Sequence, residues 1–263
     1  MKKINTIAAI VWLDVLRKKD AYVLVILLFG LLVILTSLNI FGLGASAGFV
    51  MDIGLLTAWF FAWVLSISIS SRELPQEETR GTIFSLLAKP ITRAELLFGK
   101  WLGTWSVICA ATLVFYVIVL FLSHMKGLPF DATVTIQGYL LHCAVIAIIT
   151  SMGIMFSTRM NSDAAATMTY VTTATSFFVV PGVPEFLTKE SGFTAWLLMF
   201  LYNLFPHFEV FDMRLRMVHR FGPVEWKYFL LAAAYGAALT ISFMFIAWLA
   251  YRNKCFSRGS LAG

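Results

Sequence analysis

The chain has 263 residues, of which 60% are hydrophobic and only 13% are charged, and its mean hydropathy is +0.84. A soluble domain of this size could not hide so much apolar surface from water, so the composition excludes a soluble protein and predicts an integral membrane protein. The net charge of +6 would suggest nucleic-acid binding in a soluble protein. Here the basic residues cluster at the ends of apolar segments, where they set topology and meet anionic head groups. We therefore predict membrane lipid as a partner and no nucleic-acid site.

The N-terminal segment, residues 1–20, has the pattern of an amphipathic helix. Its apolar residues recur at intervals of three and four, which places them on one helical face: Ile4, Ile7, Ala8, Val11 and Val15. Asp14 and the basic residues 17–19 interrupt the apolar run before a cleavable signal peptide can form. We therefore expect an interfacial helix, with its basic end at the lipid head groups.

Six apolar stretches are predicted to cross the membrane. A bilayer core of about 30 Å needs about 20 helical residues. The predicted spans are residues 21–41, 49–69, 101–123, 138–156, 164–181 and 228–251. Most basic residues outside these spans fall on one face, which the positive-inside rule makes cytoplasmic. Both termini are therefore expected in the cytoplasm, and the fold class is all-α integral membrane.

The segment 182–227 can be interpreted in two ways, which give different numbers of membrane spans. Its apolar run, 193–205, is too short to cross unaided and ends at Pro206, so it is either a re-entrant hairpin or a tilted extra span. Three arginines just beyond the run favour an extra span, whereas the basic tail after the last span favours an even count. We predict six spans with an external re-entrant hairpin.

The segment 71–100 is charged and contains prolines, yet it has the pattern of ordered structure. Pro75 is expected to stop the second span, and a short helix is predicted over 77–88 with acids in its first turn. That helix carries four large apolar side chains: Ile83, Phe84, Leu86 and Leu87. An apolar patch on a cytoplasmic loop needs a partner or the membrane surface to cover it.

A second helix is predicted to follow this one. Lys89 and Pro90 end the first helix, and the stretch from Thr92 to Glu95 has the form of a capping box. In that arrangement the threonine hydroxyl accepts from the backbone at the glutamate, and the glutamate reaches back to the cap. The second helix is therefore expected to start at Thr92 and lead into the third span.

Together these residues resemble the coupling-helix signature of ABC-2 type exporter permeases. The matching residues are Glu77, Glu78, Gly81-Thr82-Ile83, Leu86-Leu87, Lys89-Pro90-Ile91-Thr92-Arg93, Glu95 and Gly99-Lys100. The interfacial helix ending in Arg17-Lys18-Lys19, the corner at 204–206 and the closing Tyr251-Arg252-Asn253 are also similar to that family, so the resemblance covers most of the chain. The acid usually found two residues before the Gly-Thr pair is displaced here to Glu77 and Glu78.

The resemblance implies a half-transporter, with one transmembrane domain over residues 1–263 in a bacterial inner membrane. Two permease copies, as a homodimer or a related heterodimer, would each rest a coupling helix on one of two separate ABC-type ATP-binding subunits. ATP and Mg would bind to those subunits, so no cofactor, metal or catalytic residue is expected in this chain. The residues expected to couple to the ATPase are Glu77, Glu78, Gly81, Thr82, Leu86, Leu87, Pro90, Thr92, Arg93 and Glu95.

Two sets of residues within the spans are candidates for a pathway or a dimer interface. Trp59 and Trp63 lie four apart in the second span, where they line a hydrophobic pathway for a lipid-like substrate, pack in the core or face lipid. Thr169, Thr172 and Ser176 share a face of the fifth span. That face suits a helix interface or a polar conduit, or else the hydroxyls bond their own backbone.

The spans also bear on the class of function. An ion-driven carrier would hold Asp, Glu or His near mid-membrane, and an intramembrane metallohydrolase would need a cluster of them. We read neither in the spans, so energy is expected from another chain. The alternative to an exporter is a complex in which the ATPase drives an external accessory protein, for example in metalloenzyme maturation, without moving a bulk substrate. No residue pattern identifies a substrate.

Overall fold

The computed structural model describes residues 2–17, 47–79, 81, 91–188 and 192–254, together with a few isolated positions between 22 and 33. Over these residues the chain forms helices, turns and loops, and no strand, which confirms the all-α class there. The helices are α1 (Lys2–Arg17), α2 (Ala47–Ser70), α3 (Glu73–Thr79), α4 (Arg93–Met125), α5 (Ala132–Ser157), α6 (Ser162–Ala174), α7 (Val183–Leu187), α8 (Phe193–Leu204), α9 (Arg214–His219) and α10 (Trp226–Arg252). A π-helical turn, Thr175–Val179, and a 3₁₀ turn, Val180–Gly182, join α6 to α7.

Among the residues that the structure describes, four helical segments are long and apolar enough to cross a membrane. They are Gly48–Thr79, Arg93–Met125, Ala132–Ser157 and Trp226–Arg252, and they correspond to the second, third, fourth and sixth predicted spans. The predicted first span, 21–41, lies almost wholly outside the described residues. The predicted fifth span is broken into α6, the two irregular turns and α7, and its α6 portion has only 13 residues. Six spans therefore stay a prediction.

The four long helices are buried to very different degrees. In α5, 78% of the most apolar window is buried within the chain, whereas in α10 only 22% is buried. Helix α5 therefore forms the centre of the bundle and α10 lies at its edge. Helix α2 approaches α5 closely at Gly153, where an added Cβ would overlap the Ser70 hydroxyl and lie 2.8 Å from Ser70 Cβ. Glycine is needed there because no larger side chain fits between α2 and α5.

The amphipathic pattern of the N-terminal segment is confirmed in α1. Its predicted apolar face is buried at four positions: Ile7, Ala8, Val11 and Val15. That face packs on α4 at two glycines one turn apart, Gly99 and Gly103. An added Cβ on Gly103 would lie 2.8 Å from Val11 Cβ. Small residues four apart allow two helix backbones to approach closely, so α1 is held against the start of α4.

The loop between α8 and α9 folds inward. Phe208 and Phe211, which bound a 3₁₀ turn, are fully buried, and Met213 is 3% exposed. The Phe211 ring lies against Gly236, where an added Cβ would be 3.1 Å from its Cε1 atom. Because Gly236 lies near the middle of α10, this loop reaches well into the bundle rather than covering its end.

Candidate functional site

The segment 71–100, predicted to couple to an ATPase and called the coupling segment below, begins with a turn at Ser71 and Arg72 after α2 and continues into α3. The prediction that this helix starts at Glu77 is wrong, because α3 starts at Glu73 and includes Pro75 in its first turn. Proline is tolerated there because the first N–H groups of a helix have no partner within the helix. The predicted continuation of the helix to residue 88 lies mostly outside the described residues, as do Thr82, Leu86, Leu87 and Pro90.

Two acids of α3 share one lysine of α4. Lys100 Nζ lies 2.8 Å from Glu73 Oε2 and 2.5 Å from Glu77 Oε1. The side chains are 6% exposed for Lys100, 8% for Glu73 and 17% for Glu77, so this is a buried ionic cluster. Glu73 and Glu77 are one helical turn apart, which lets both carboxylates face the same partner. The cluster joins the start of the coupling segment to α4.

The third acid of α3 contacts the end of the last helix. Lys254 Nζ donates to Glu78 Oε1 at 2.7 Å and to Oε2 at 2.8 Å. The same ammonium donates to the Thr158 carbonyl at 2.9 Å, at the C-terminal end of α5. One lysine therefore links α3, α5 and the residues that follow α10.

Arg93, the first residue of α4, also binds the end of α10. Its Nη1 donates to the Tyr251 carbonyl at 2.7 Å and to the Lys254 carbonyl at 2.8 Å. The last carbonyls of a helix have no partner within the helix, so a guanidinium there satisfies them and favours the negative end of the helix dipole. The ring of Tyr251, which is fully buried, lies 5.9 Å from the guanidinium carbon. Arg93 thus fixes the C-terminus of α10 to the start of α4.

The predicted capping box at the start of α4 is confirmed. The Glu95 backbone N–H donates to Thr92 Oγ1 at 3.2 Å, and the Thr92 backbone N–H donates to Glu95 Oε2 at 2.8 Å. Thr92 has extended backbone geometry, as an N-cap residue requires. This cap sets where the coupling segment ends and α4 begins.

The predicted contacts with an ATPase are not tested by these observations. Glu77, Glu78 and Arg93, which were expected to bond the partner, all make contacts within the chain. Gly81 has a φ of +68°, in the left-handed region that favours glycine, and its N–H donates to the Glu78 carbonyl at 3.2 Å. Its backbone N–H therefore bonds back to the last turn of α3. The assignment of these residues to the partner surface remains a prediction.

Sequence reasoning missed three members of this network. Glu73 was not selected, although its spacing of four from Glu77 is a recognisable helical pair. In the sequence, Lys100 stands out only as part of a family pattern, and Lys254 only as one of the basic residues after the last span. No local pattern reveals the contact between Lys254 and Glu78, because the two residues are 176 positions apart.

Both pathway tryptophans are buried inside the chain. Trp59 is 2% exposed and Trp63 is 9% exposed. Phe177, in the π-helical turn after α6, lies between them, 6.1 Å from the Trp59 ring and 4.5 Å from the Trp63 ring. A π-helical turn holds one residue more than an α-helical turn, and such turns are often found at functional sites. Here the turn places the Phe177 ring against the tryptophans of α2.

The predicted hydroxyl face of the fifth span divides into two kinds of residue. Thr169 Oγ1 donates to the Ala165 carbonyl at 2.7 Å, and Thr172 Oγ1 donates to the Met168 carbonyl at 2.8 Å. These two follow the expectation of hydroxyls bonded to their own backbone. Ser176 is fully buried, and its hydroxyl has no hydrogen-bond partner among the described residues.

A buried histidine was overlooked in the spans. His142 is fully buried in α5, stacked on Trp59 with ring centroids 4.5 Å apart. Its Nδ1 lies 3.2 Å from the Tyr116 hydroxyl. The ion pair of Arg214 with Asp212, at 2.7 Å, lies beside the same cluster, with the guanidinium carbon 5.4 Å from the Trp59 ring centroid. Sequence reasoning therefore missed a buried histidine within the fourth predicted span.

No group of three or more His, Cys, Asp or Glu side chains that could hold a metal ion occurs among the described residues. The described part of the chain thus offers contacts that join helices at one end of the bundle, and a buried aromatic cluster near its centre.

A comparison with known proteins identifies the family. A family model described as ABC-2 family transporter protein matches residues 6–251, which is nearly the whole chain. No curated protein matches the sequence. Members of this family are membrane subunits that are not themselves catalytic and that associate with an ABC ATP-binding subunit. The chain therefore belongs to the ABC-2 transporter family and is a multi-pass membrane permease of an ABC system.

Proposed function

We propose that this permease is the membrane subunit of an ATP-driven exporter, in which two permease copies form the pathway and two separate ATP-binding subunits drive it. The observation that carries the proposal is the buried network at the base of the coupling segment. Glu73 and Glu77 are bound by Lys100 of α4, and Glu78 is bound by Lys254 after α10. Such a network is suited to carrying force from a partner into the membrane helices.

The charges of this network give it two properties that force transmission needs. Charge-assisted hydrogen bonds are short and about twice as strong as neutral ones, so they resist separation as well as compression. The members lie at the ends of α3, α4, α5 and α10, so a displacement of α3 is shared among several helices. ATP-driven closure of the partner subunits would therefore move the base of the bundle as a unit.

We further propose six membrane spans, with both termini in the cytoplasm of a bacterial cell and a re-entrant hairpin in the segment 182–227. Support for the sidedness comes from Arg93, Arg159, Arg252 and Lys254, which all lie at the coupling end of the long helices. Support for the hairpin comes from Phe211, which packs against the middle of α10 rather than at its end.

The pathway is proposed to run beside α2 and the broken helix that begins with α6. The Trp63 ring lies edge-on to Phe177 with centroids 4.5 Å apart, so separation of these helices would expose aromatic surface from both sides. The buried Ser176 hydroxyl, which has no partner among the described residues, would become available in the same movement. This lining suits a cargo that is mainly apolar with some polar groups.

The double variant Leu86→Asp and Leu87→Asp tests the coupling assignment. Two carboxylates on the predicted apolar patch would oppose burial against the partner subunit, because an unpaired buried charge is costly. We expect stimulation of the ATPase by the permease to be lost, while the chain still inserts into the membrane. The measurement is ATP hydrolysis by the co-purified complex in lipid nanodiscs, with a membrane flotation assay for insertion.

The matched control for this test is the variant Leu86→Ile and Leu87→Ile, which keeps the apolar surface and should retain stimulation. The assignment fails if the wild-type chain neither binds an ABC-type ATPase nor changes its rate of hydrolysis. A complex that hydrolyses ATP, transports none of a panel of lipid-like cargoes in sealed vesicles, and co-purifies with an external protein would instead support a role in driving that protein.

A further inference from the structure

A cavity of about 400 Å³ lies at the end of the bundle opposite the coupling segment. It is bounded by the loop after α4, the first turn of α5 and the end of α9. Its floor is apolar and buried, formed by Met51, Val134 and Met217. Two arginines, Arg216 and Arg220, line the same cavity. The cavity therefore combines an apolar base with cationic walls.

The cations in this cavity are available to a ligand. Neither Arg216 nor Arg220 has an ion-pair partner within the part of the chain that the structure describes. The cavity also contains one acid, Asp131, but its Oδ1 accepts the backbone N–H groups of Thr133 at 2.8 Å and Val134 at 3.4 Å. The lining residues therefore include two arginines and one acid, whose carboxylate caps α5, so the cavity has a net positive charge.

The backbone at Arg220 is a second, independent observation. Its φ of +55° makes it the one residue other than glycine with a positive φ among those described. It ends α9 in the left-handed conformation, a position where glycine or asparagine is usual because other side chains are disfavoured. Left-handed backbone at a residue other than glycine clusters at ligand-binding sites, and Arg220 lines the cavity.

The location of these arginines adds to the argument. They lie at the same end of the bundle as the loop between α4 and α5, away from the end that carries Lys100 and Lys254. Under the proposed topology this is the external side, where the positive-inside rule does not favour arginine. A role other than setting topology is therefore needed for them.

We propose that this cavity binds a phosphate group, held by Arg216 and Arg220, with the carbon atoms next to the phosphate resting on the apolar floor. The planar guanidinium group matches phosphate oxygens in a two-pronged arrangement, and arginine is favoured over lysine where such recognition matters. Met51, Val134 and Met217 supply a dry surface that a fully hydrated anion would not need. The phosphate is carried either by a lipid head group or by a small soluble anion.

The test uses the full-length chain purified in a maltoside detergent and stripped of lipid. Binding is measured by microscale thermophoresis with three probes: short-chain phosphatidic acid, inorganic phosphate, and the diacylglycerol with the same tails. We expect phosphatidic acid to bind and the diacylglycerol to bind at least tenfold more weakly, because it lacks the charged acceptor. The affinity should also fall as salt concentration rises.

Variants separate recognition from folding. The change Arg220→Gly removes a guanidinium while supplying the residue that the left-handed backbone prefers, so affinity should fall at least tenfold without a lower unfolding temperature. Arg216→Gln should also weaken binding. The matched control is Arg252→Gln, at the other end of the bundle, which should leave affinity unchanged.

Four outcomes decide the proposal. Binding of phosphatidic acid alone supports a head-group site, and binding of inorganic phosphate as well supports a site for soluble phosphate. Absence of phosphate-dependent binding, or equal binding by the variant that combines Arg216→Gln with Arg220→Gly, overturns the proposal. The assay contains no ATPase, so its failure is distinct from a failure of the exporter assignment.

Discussion

Replacing Lys100 with methionine is expected to lower the free energy of unfolding by about 3–5 kcal/mol. Methionine keeps most of the side-chain volume but removes the cation that the carboxylates of Glu73 and Glu77 share, at 2.8 Å and 2.5 Å. Less than a fifth of each acidic side chain is exposed. An isolated buried carboxylate is far more costly than a paired one. The measurement is thermal or denaturant unfolding of the detergent-solubilised chain, followed by tryptophan fluorescence.

A triple variant separates stability from coupling. Replacing Glu73, Glu77 and Lys100 together with methionine removes the whole cluster, and loss of a complete buried ion group is often neutral. We expect this variant to recover most of the stability of the native chain while the ATPase remains poorly stimulated. Lys254→Met should lower the free energy of unfolding by less than Lys100→Met does, because the side chains of Lys254 and Glu78 are 22–23% exposed. If the Lys100→Met variant is as stable as the native chain, the ionic cluster does not contribute to the stability of the fold.

Replacing Gly153 with alanine is expected to destabilise the chain by about 1–3 kcal/mol through overpacking. Alanine is the better helix former by about 1 kcal/mol, so in an open site the change would stabilise α5. At this site the added methyl group would overlap the Ser70 hydroxyl and lie 2.8 Å from Ser70 Cβ. The Ser70 hydroxyl is held by a hydrogen bond of 2.5 Å to the Ser66 carbonyl. The clash is therefore expected to outweigh the gain in helix propensity.

A second substitution tests whether this clash is the cause. Ser70→Gly removes the atoms that the new methyl group meets, so the pair of Gly153→Ala with Ser70→Gly should recover stability relative to the two single changes added together. The control is Gly48→Ala, in the first turn of α2, where the added Cβ would come no closer than 3.9 Å to Val218. If the Gly153→Ala variant unfolds at or above the unfolding temperature of the native chain, the contact between α2 and α5 is looser than the 2.8 Å approach to Ser70 Cβ indicates.

Local patterns were enough to predict several features of the fold. The capping box at Thr92 and Glu95 depends on residues three apart, so its chemistry is complete within one turn. The buried face of α1 follows from the helical period alone. The sequence pattern did not identify α4 as the partner of that face. The pairing depends on Gly103, whose role is clear only when the two backbones are seen together.

Other features depended on context that a sequence window does not contain. The presence of Pro75 predicts a helix stop, but its position relative to the first turn, rather than its presence, decides whether it is tolerated. His142 was overlooked because a single imidazole in an apolar run has no local partner, and its contacts with Trp59 and Tyr116 come from two other helices. Burial of that kind is a property of the packed bundle.

The contact between Glu78 and Lys254 has a consequence for how the protein is made. A ribosome completes the first of these residues 176 positions before the second. During that interval the cation for Glu78 and the carbonyl groups for Arg93 do not yet exist, so the base of the bundle stays open while most of the spans are already synthesised. Contacts between distant parts of a chain also form slowly. The contacts that join α3, α4 and α10 at this end of the bundle are thus completed last, and a chain interrupted before Lys254 lacks them.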